Sequence, residues 1–333
     1  MDVLELTKAI QTLEIVRNAE EWEEHKLFNE GSLAATYAMR GMLYLQMNMF
    51  DEAITDCDKC IEIMEQLSCE QFEERKHGLA MAYVGKGIAY HFKGDFEGSI
   101  PNLNRGIEIW EELQKAGLFK EENINMLTLA YSISGATKNA TSDNAYASAA
   151  QSDCEKSIDM ESEHKSFDDD TLASMHFISG NSCDQMGEYE EANTHYDIAI
   201  EIWERLHKKD SEFAKAYMNR GANYYQTGKN DRALADYHKS IDIIEQLQSN
   251  GVEQDAFDMV MAYKNRGMAY EVAGNMKEAI DDNIKALHIM KKVLHEQSEL
   301  QEEYDSTIEE TIKMIEEEKN QALLSDFLQE FDV

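Results

Sequence analysis

The stretch Tyr217–Tyr237, YMNRGANYYQTGKNDRALADY, has the composition of a helix, yet an Arg-Gly pair stands within it and TGKND interrupts it. Glycine costs a helix interior about 1 kcal/mol relative to alanine. A glycine kept there needs a packing reason, and the phrase returns along the chain. YAMRGMLYLQMNMFDEAITDC starts at Tyr37, YVGKGIAYHFKGDFEGSIPNL at Tyr83 and YKNRGMAYEVAGNMKEAIDDN at Tyr263. Two weaker copies lie between them, YSISGATKNATSDNAYASAA from Tyr131 and HFISGNSCDQMGEYEEANTHY from His176. The glycines Gly41, Gly87, Gly135, Gly180, Gly221 and Gly267 are 46, 48, 45, 41 and 46 residues apart. Repetition at such a period marks a solenoid or array.

Within one copy, Phe213, Tyr217, Gly221 and Tyr224 recur at helical spacing and form one stripe. Thr227–Asp231 supplies a turn with a glycine and a capping Asn or Asp. Ala233, Leu234, Tyr237, Ile241 and Ile244 then define a second helix. Each copy is therefore two helices joined by a tight turn. A first-helix glycine lets the second helix approach closely, which can offset its propensity cost.

Bulk composition agrees with an all-α chain. Of 333 residues, 43% are hydrophobic and one is proline, Pro101. Lys and Arg total 31 against 66 Asp and Glu, a formal charge of −35. That surface repels phosphate backbones and anionic membranes, and it steers basic partners inward. The five cysteines, Cys57, Cys60, Cys69, Cys154 and Cys183, have no regular spacing that would suggest a disulfide framework. MDVLELTKAI lacks the pattern of a signal peptide, and no run of 18 apolar residues exists. A reducing cytoplasm is the expected compartment.

The positions Tyr217, Gly221, Tyr224, Ala233 and Tyr237 resemble the signature of the tetratricopeptide repeat family. So do Tyr37, Gly41, Tyr44 and Ala53; Tyr83, Gly87 and Tyr90; Tyr263, Gly267, Tyr270 and Ala279; and, in the fourth copy, Gly180, Tyr189, Ala192, Tyr196 and Ala199. The resemblance implies a right-handed α-solenoid of about six helix pairs. Residues 1–32 are expected to form an N-terminal capping helix. Residues 33–294 form the solenoid, with copies starting near 34, 80, 128, 173, 214 and 260. Residues 295–333 form a C-terminal capping helix and an acidic-hydrophobic tail. The family period is about 34 residues, and the copies here are longer, as in kinesin light chains. The excess follows the second helix, in IEIMEQLSCEQ from Ile61 and IEIWERLHKKD from Ile200, and predicts a longer second helix. In the third copy the segment between the glycine and the next apolar pair is three residues longer, which predicts a longer turn in NATSDNAYAS. Pro101 falls inside a second helix, where it removes a hydrogen bond and bends the helix.

Where the family usually has leucine before the glycine, this chain has Arg40, Lys86, Arg220 or Arg266. Sixteen residues later stand Asp56, Asn102, Asp236 and Asp282. That is about the span between the middles of the two helices. The pattern predicts interhelical ion pairs Arg40–Asp56, Arg220–Asp236 and Arg266–Asp282.

Candidate chemistry is sparse. Cys57-x-x-Cys60 looks like half of a redox or zinc site, but both positions belong to a second-helix core stripe. The histidines lack metal spacing, DDD at Asp168–Asp170 reads as a solvated loop, and no phosphate loop, GxSxG or HExxH is present. No catalytic residue, cofactor or metal site is expected. At the ends, Leu4, Ile10, Leu13, Ile15 and Val16 mark a capping helix followed by EEWEEH. Leu300, Tyr304, Ile308, Ile312 and Ile315 mark a second one. The apolar stripe of ALLSDFLQEFDV docks either on its own solenoid, the favoured reading, or on a partner.

In the family, first helices line a concave face that binds an extended peptide or a partner helix. Carried onto this chain, the partner-binding candidates from the first two copies are Met42, Leu45, Met81, Val84, Ile88, His91 and Phe92. Those from later copies are Asn181, Asp184, Asn219, Tyr225, Lys264 and Asn265. The resemblance thus implies a non-enzymatic scaffold, adaptor or regulatory subunit that binds another protein or peptide, with basic partners favoured. No direct nucleic-acid or membrane contact is expected, and the capped ends suggest a monomer. The alternatives are a signalling-peptide sensor, or an acidic inhibitor that occupies the basic channel of a nucleic-acid-binding protein.

Overall fold

The computed structural model describes residues 2–17, 25–67, 73–141, 143–165, 167–252, 256–293, 301–318 and 320–331. Cys69, Leu300 and most of EEWEEH lie outside them. Among the described residues the chain is helical with no strand, and no helix is long and apolar enough to cross a membrane. It forms two compact units, Met1–Met186 and Gly187–Val333. Their boundary falls in the turn of the fourth copy.

In the first unit, α1 (Val3–Val16) precedes three helix pairs and a single helix. The pairs are α2 (Lys26–Gln46) with α3 (Phe50–Gln66), α4 (Glu73–Phe92) with α5 (Phe96–Lys115), and α6 (Ile124–Ala140) with α7 (Asn144–His164). The single helix is α8 (Asp169–Gln185). In the second unit, α9 (Tyr189–Arg205) precedes the pairs α10 (Ser211–Gln226) with α11 (Asn230–Ser249) and α12 (Ala256–Val272) with α13 (Met276–Val293). Two end helices follow, α14 (Gln301–Glu317) and α15 (Gln321–Phe331). The fold is thus an α-solenoid, built within each unit by packing one helix pair on the next.

Local chemistry sets the helix ends. Asp2 and Glu5 form a reciprocal capping box on α1. The side chains of Asp95, Asp143, Asp168 and Asp210 each accept a backbone N–H at the start of a helix. Asp168 therefore has a structural task within the DDD run. The turns inside the first, second and last two pairs carry a left-handed residue. Gly228 supplies it at φ +73°, and Asn48 takes the same role at φ 57° in the first pair.

The first-helix glycines answer the question the sequence posed. A Cβ at Gly87 would stand 2.6 Å from Leu103 Cγ, and one at Gly221 would stand 2.9 Å from Tyr237. Gly41 faces the Cys57 sulfur and Gly135 the Cys154 sulfur. In each pair the residue next to the second-helix aspartate or asparagine fills the space the glycine leaves. Cys57, Cys60 and Cys154 are buried free thiols. Burial pushes the Cys60 and Cys154 thiols up to about 12, so they are packing groups, not nucleophiles.

The third pair corrects the expectation of a long turn. Helix α6 ends at Ala140 and α7 begins at Asn144. The three additional residues extend the start of α7 instead. Three residues are nearly one helical turn, so the addition keeps Cys154 on the buried face. The longer second helices appear as expected; α5 continues through Pro101 to Lys115. On α1, Leu6 and Ile10 are buried, whereas Leu4, Ile15 and Val16 face solvent and are not part of the packed stripe.

Candidate functional site

The repeated arginines join helices three at a time. Arg40 Nε and Nη2 donate to both oxygens of Asp56 at 2.6 and 2.7 Å. Arg220 holds Asp236 at 2.8 and 2.7 Å, and Arg266 holds Asp282 at 2.7 and 2.8 Å. The remaining Nη1 of each reaches the preceding helix. It donates to Thr7 Oγ1 at 3.0 Å, to Asp197 Oδ1 at 2.7 Å and to His238 Nδ1 at 3.1 Å, respectively. Each guanidinium also lies over the tyrosines three residues before and four after it, within 5.3–5.9 Å of the ring centroids. These arginines are spent on packing.

The second and third pairs solve the same problem differently. Lys86 reaches back to Asp58 at 2.6 Å, not to Asn102, whose amide donates to Gly98 O at 2.7 Å. In the third pair the inserted residues displace the aspartate to Asp153. It accepts from Ser134 at 2.7 Å and from Lys138 at 2.5 Å. Lys138, one turn beyond Ser134, thus supplies the cation that sequence spacing at sixteen residues misses.

A second tie recurs between successive pairs, at separations in sequence that are not constant. Tyr83, Tyr131, Tyr217 and Tyr263 donate their hydroxyls to Glu65, Glu111, Glu204 and Glu245 at 2.6, 2.6, 2.6 and 2.8 Å. Tyr37 does the same with Glu14 of α1. From Tyr83 on, the carboxylate comes from the prolonged end of the preceding second helix. The extra length of these copies therefore reaches the next pair. Burial and the neighbouring carboxylate raise these phenols above their ordinary range, so they stay protonated as donors. In the third pair Lys156 completes the contact, 2.8 Å from Glu111 and 4.8 Å over the Tyr131 ring.

The expected partner-binding residues divide into buried and open groups. Val84 and Ile88 are only 0% and 5% exposed and belong to the core. This corrects their assignment to a solvent-facing surface. Val84 meets Gly106 of its own second helix, where an added Cβ would lie 2.6 Å from Val84 Cγ2. Leu45 and Met81 are half-buried against the same core, and Met42 and Leu45 pack at Gly85 of the next first helix. His91 is half-buried. The Thr137 hydroxyl donates to Ile133 O, so His91 Nδ1 carries a proton and donates to Thr137 at 2.9 Å. Burial holds this imidazole below its usual value. Phe92 is the open member of the group, 58% exposed.

In the second unit, Tyr225 and Lys264 line one cavity of about 270 Å³ with Met268, Glu271 and Asn283. Glu310, Lys313, Met314 and Glu317 of α14 close its other side. Lys264 is itself buried, donating to Thr307 of α14 at 3.0 Å. It is not a free contact on an open face. Asn219 and Asn265 are half-buried, as are Asn181 and Asp184 of the first unit.

Helix pairs with this spacing, this glycine and these aromatic positions define an all-α repeat scaffold. Residues 34–66 and 170–246 match tetratricopeptide repeat families. These two segments carry tetratricopeptide repeats. The chain is similar to Hsp70-Hsp90 organizing protein 1 of Glycine max, 26% identical over 204 residues. That match covers 61% of this chain and 28% of the relative, so the chain spans under a third of that relative's length. Among solved structures it resembles BtubC (BKLC) from P. vanneervenii, with TM-score 0.53, 20% identity, 73% of this chain and 91% of the other. It also resembles a signal transduction ATPase with numerous domains from Pyrococcus horikoshii that carries a tetratricopeptide repeat sensor. That match has TM-score 0.55, 14% identity, 96% of this chain and 44% of the other.

Proposed function

We propose that this protein is a non-enzymatic adaptor or regulatory subunit that binds a segment of another protein on its first-helix faces. The observation that carries this reading is the division of labour among its side chains. The residues that recur (Arg, Tyr, Asp and Glu) are consumed in joining helix to helix. The outward first-helix positions vary from copy to copy, with Phe92, Tyr225 and Met268 among them. A scaffold that repeats its joints and varies its outer face is suited to recognising a partner. The similarity to an Hsp70-Hsp90 organizing protein supports an adaptor role, and the charge of −35 favours basic partners. The free buried thiols suit a reducing cytoplasm. Affinity capture from the native cell at low and high salt tests the proposal. Retention of a defined partner at high salt supports an apolar contact surface. Salt-sensitive capture of nucleic-acid-binding proteins alone would replace the adaptor reading with that of an acidic inhibitor.

A further inference from the structure

Two large apolar side chains that the first unit exposes share one turn edge. Phe92, the last residue of α4, stacks on Phe50 at the start of α3, with centroids 5.7 Å apart and planes 12° from parallel. Its other neighbour is His91, edge-on at 5.2 Å and anchored to Thr137. Phe92 is nonetheless 58% exposed, and Met47, in the turn just before Phe50, is 57% exposed. Single exposed apolar residues are ordinary. Here, however, a ring in water is held between two others, so little freedom remains to be lost on binding. Exposed carboxylates Asp51, Glu52, Asp95 and Glu97 flank this edge. The nearby ammonium, Lys93, is already held by Asp51.

We propose that this edge docks a partner segment that places an aliphatic or aromatic side chain next to Lys or Arg. The apolar part covers Phe92 and Met47, and the cations answer the carboxylates, which would repel an acidic segment. The assignment rests on the adaptor reading and specifies the chemistry of its partner. Fluorescence anisotropy with the full chain and three labelled synthetic peptides tests it. One alternates leucine with lysine, one replaces the leucines by serine at equal charge, and one replaces the lysines by glutamate. The leucine–lysine peptide is expected to bind roughly tenfold or more tighter than either control. The double variant Phe92→Ser, Met47→Ser should lose that advantage, as should Met47→Ser alone in part, with the melting temperature kept. Equal binding by the double variant would overturn the proposal, because the acidic surface alone would then explain the affinity. Equal binding of the leucine–glutamate peptide would overturn it too. Cellular capture separates the two readings. A wild-type chain that retains no protein removes the adaptor function but not the peptide result. Capture that is unchanged in the double variant removes this edge as the docking site and leaves the adaptor function standing.

Discussion

Arg220 binds Asp236 through two hydrogen bonds and Asp197 through a third, between the rings of Tyr217 and Tyr224. Asp236 is buried, so its charge is tolerable only with the guanidinium in place. Arg220→Leu should therefore cost about 3–5 kcal/mol, the usual result of orphaning a buried charge. The double variant Arg220→Leu, Asp236→Leu should recover most of that loss. Urea unfolding of the two variants decides the point, and equal stability of wild type and the single variant would refute a stabilising bridge. In the last pair His238 replaces the aspartate that Arg220 finds in Asp197. Arg266 donates to Nδ1, so Nε2 bears the proton and donates to Tyr270 at 2.8 Å. Burial, then Arg266, lowers this imidazole below the ordinary histidine value, against the opposing pull of Asp242 and Asp282. The folded state prefers neutral His238 more than the unfolded chain does. Its contribution is thus present above about pH 6.5 and is lost as pH falls below that value. His238→Gln keeps an acceptor for Arg266 and should flatten the loss of stability on acidification. An unchanged slope would assign that loss elsewhere.

At the scale of the element, the prolonged second helix is the part that makes these copies distinct. Its last turns carry Glu65, Glu111, Glu204 and Glu245 to the tyrosine of the following pair. Removing one such hydrogen bond by Tyr217→Phe should cost about 1 kcal/mol. Glu204→Gln should cost less, because the amide oxygen still accepts. Thermal unfolding of both variants compares them, and a larger loss in Glu204→Gln would contradict the assigned donor and acceptor. The helix pairs and the Arg–Asp joints were legible in sequence because glycine, arginine and aspartate keep a fixed spacing. The Tyr–Glu ties were not, since 18, 20, 13 and 18 residues separate the partners. Variable connections between pairs hide a contact that the helices keep constant. Lys138 escaped for a related reason, because three inserted residues moved its aspartate out of register. Val84 and Ile88 show a different limit. A first helix packs on its own second helix and on the neighbouring pair, so its apolar stripe is wide. Periodicity cannot separate that stripe from an open face, and the glycine at position 106 was the one signal that Val84 faces inward.

At the scale of the whole molecule, helix pairs within each unit pack on their neighbours, so an end must cover the apolar face that a further copy would otherwise bury. The C-terminal stripe meets this need within its own unit. Phe327 and Phe331 are buried with Ile315 and Met314 of α14 and with Leu287 and Met290 of α13. Lys291 donates to Glu330 O at 2.8 Å and lies 5.6 Å over the Phe331 ring. His288 lies 3.0 Å from the Glu330 carboxylate. Phe327→Ala should then cost about 3–5 kcal/mol, as expected for emptying a fully buried aromatic site. In a nearest-neighbour array that cost should be local. Hydrogen exchange should accelerate in α13, α14 and α15 and remain slow in α4 and α5, whose core of Leu103, Ile107 and Trp110 belongs to the other unit. If exchange instead rises equally in all helices, the chain unfolds as one cooperative body. The nearest-neighbour description then fails, and α15 becomes a determinant of the stability of the whole chain.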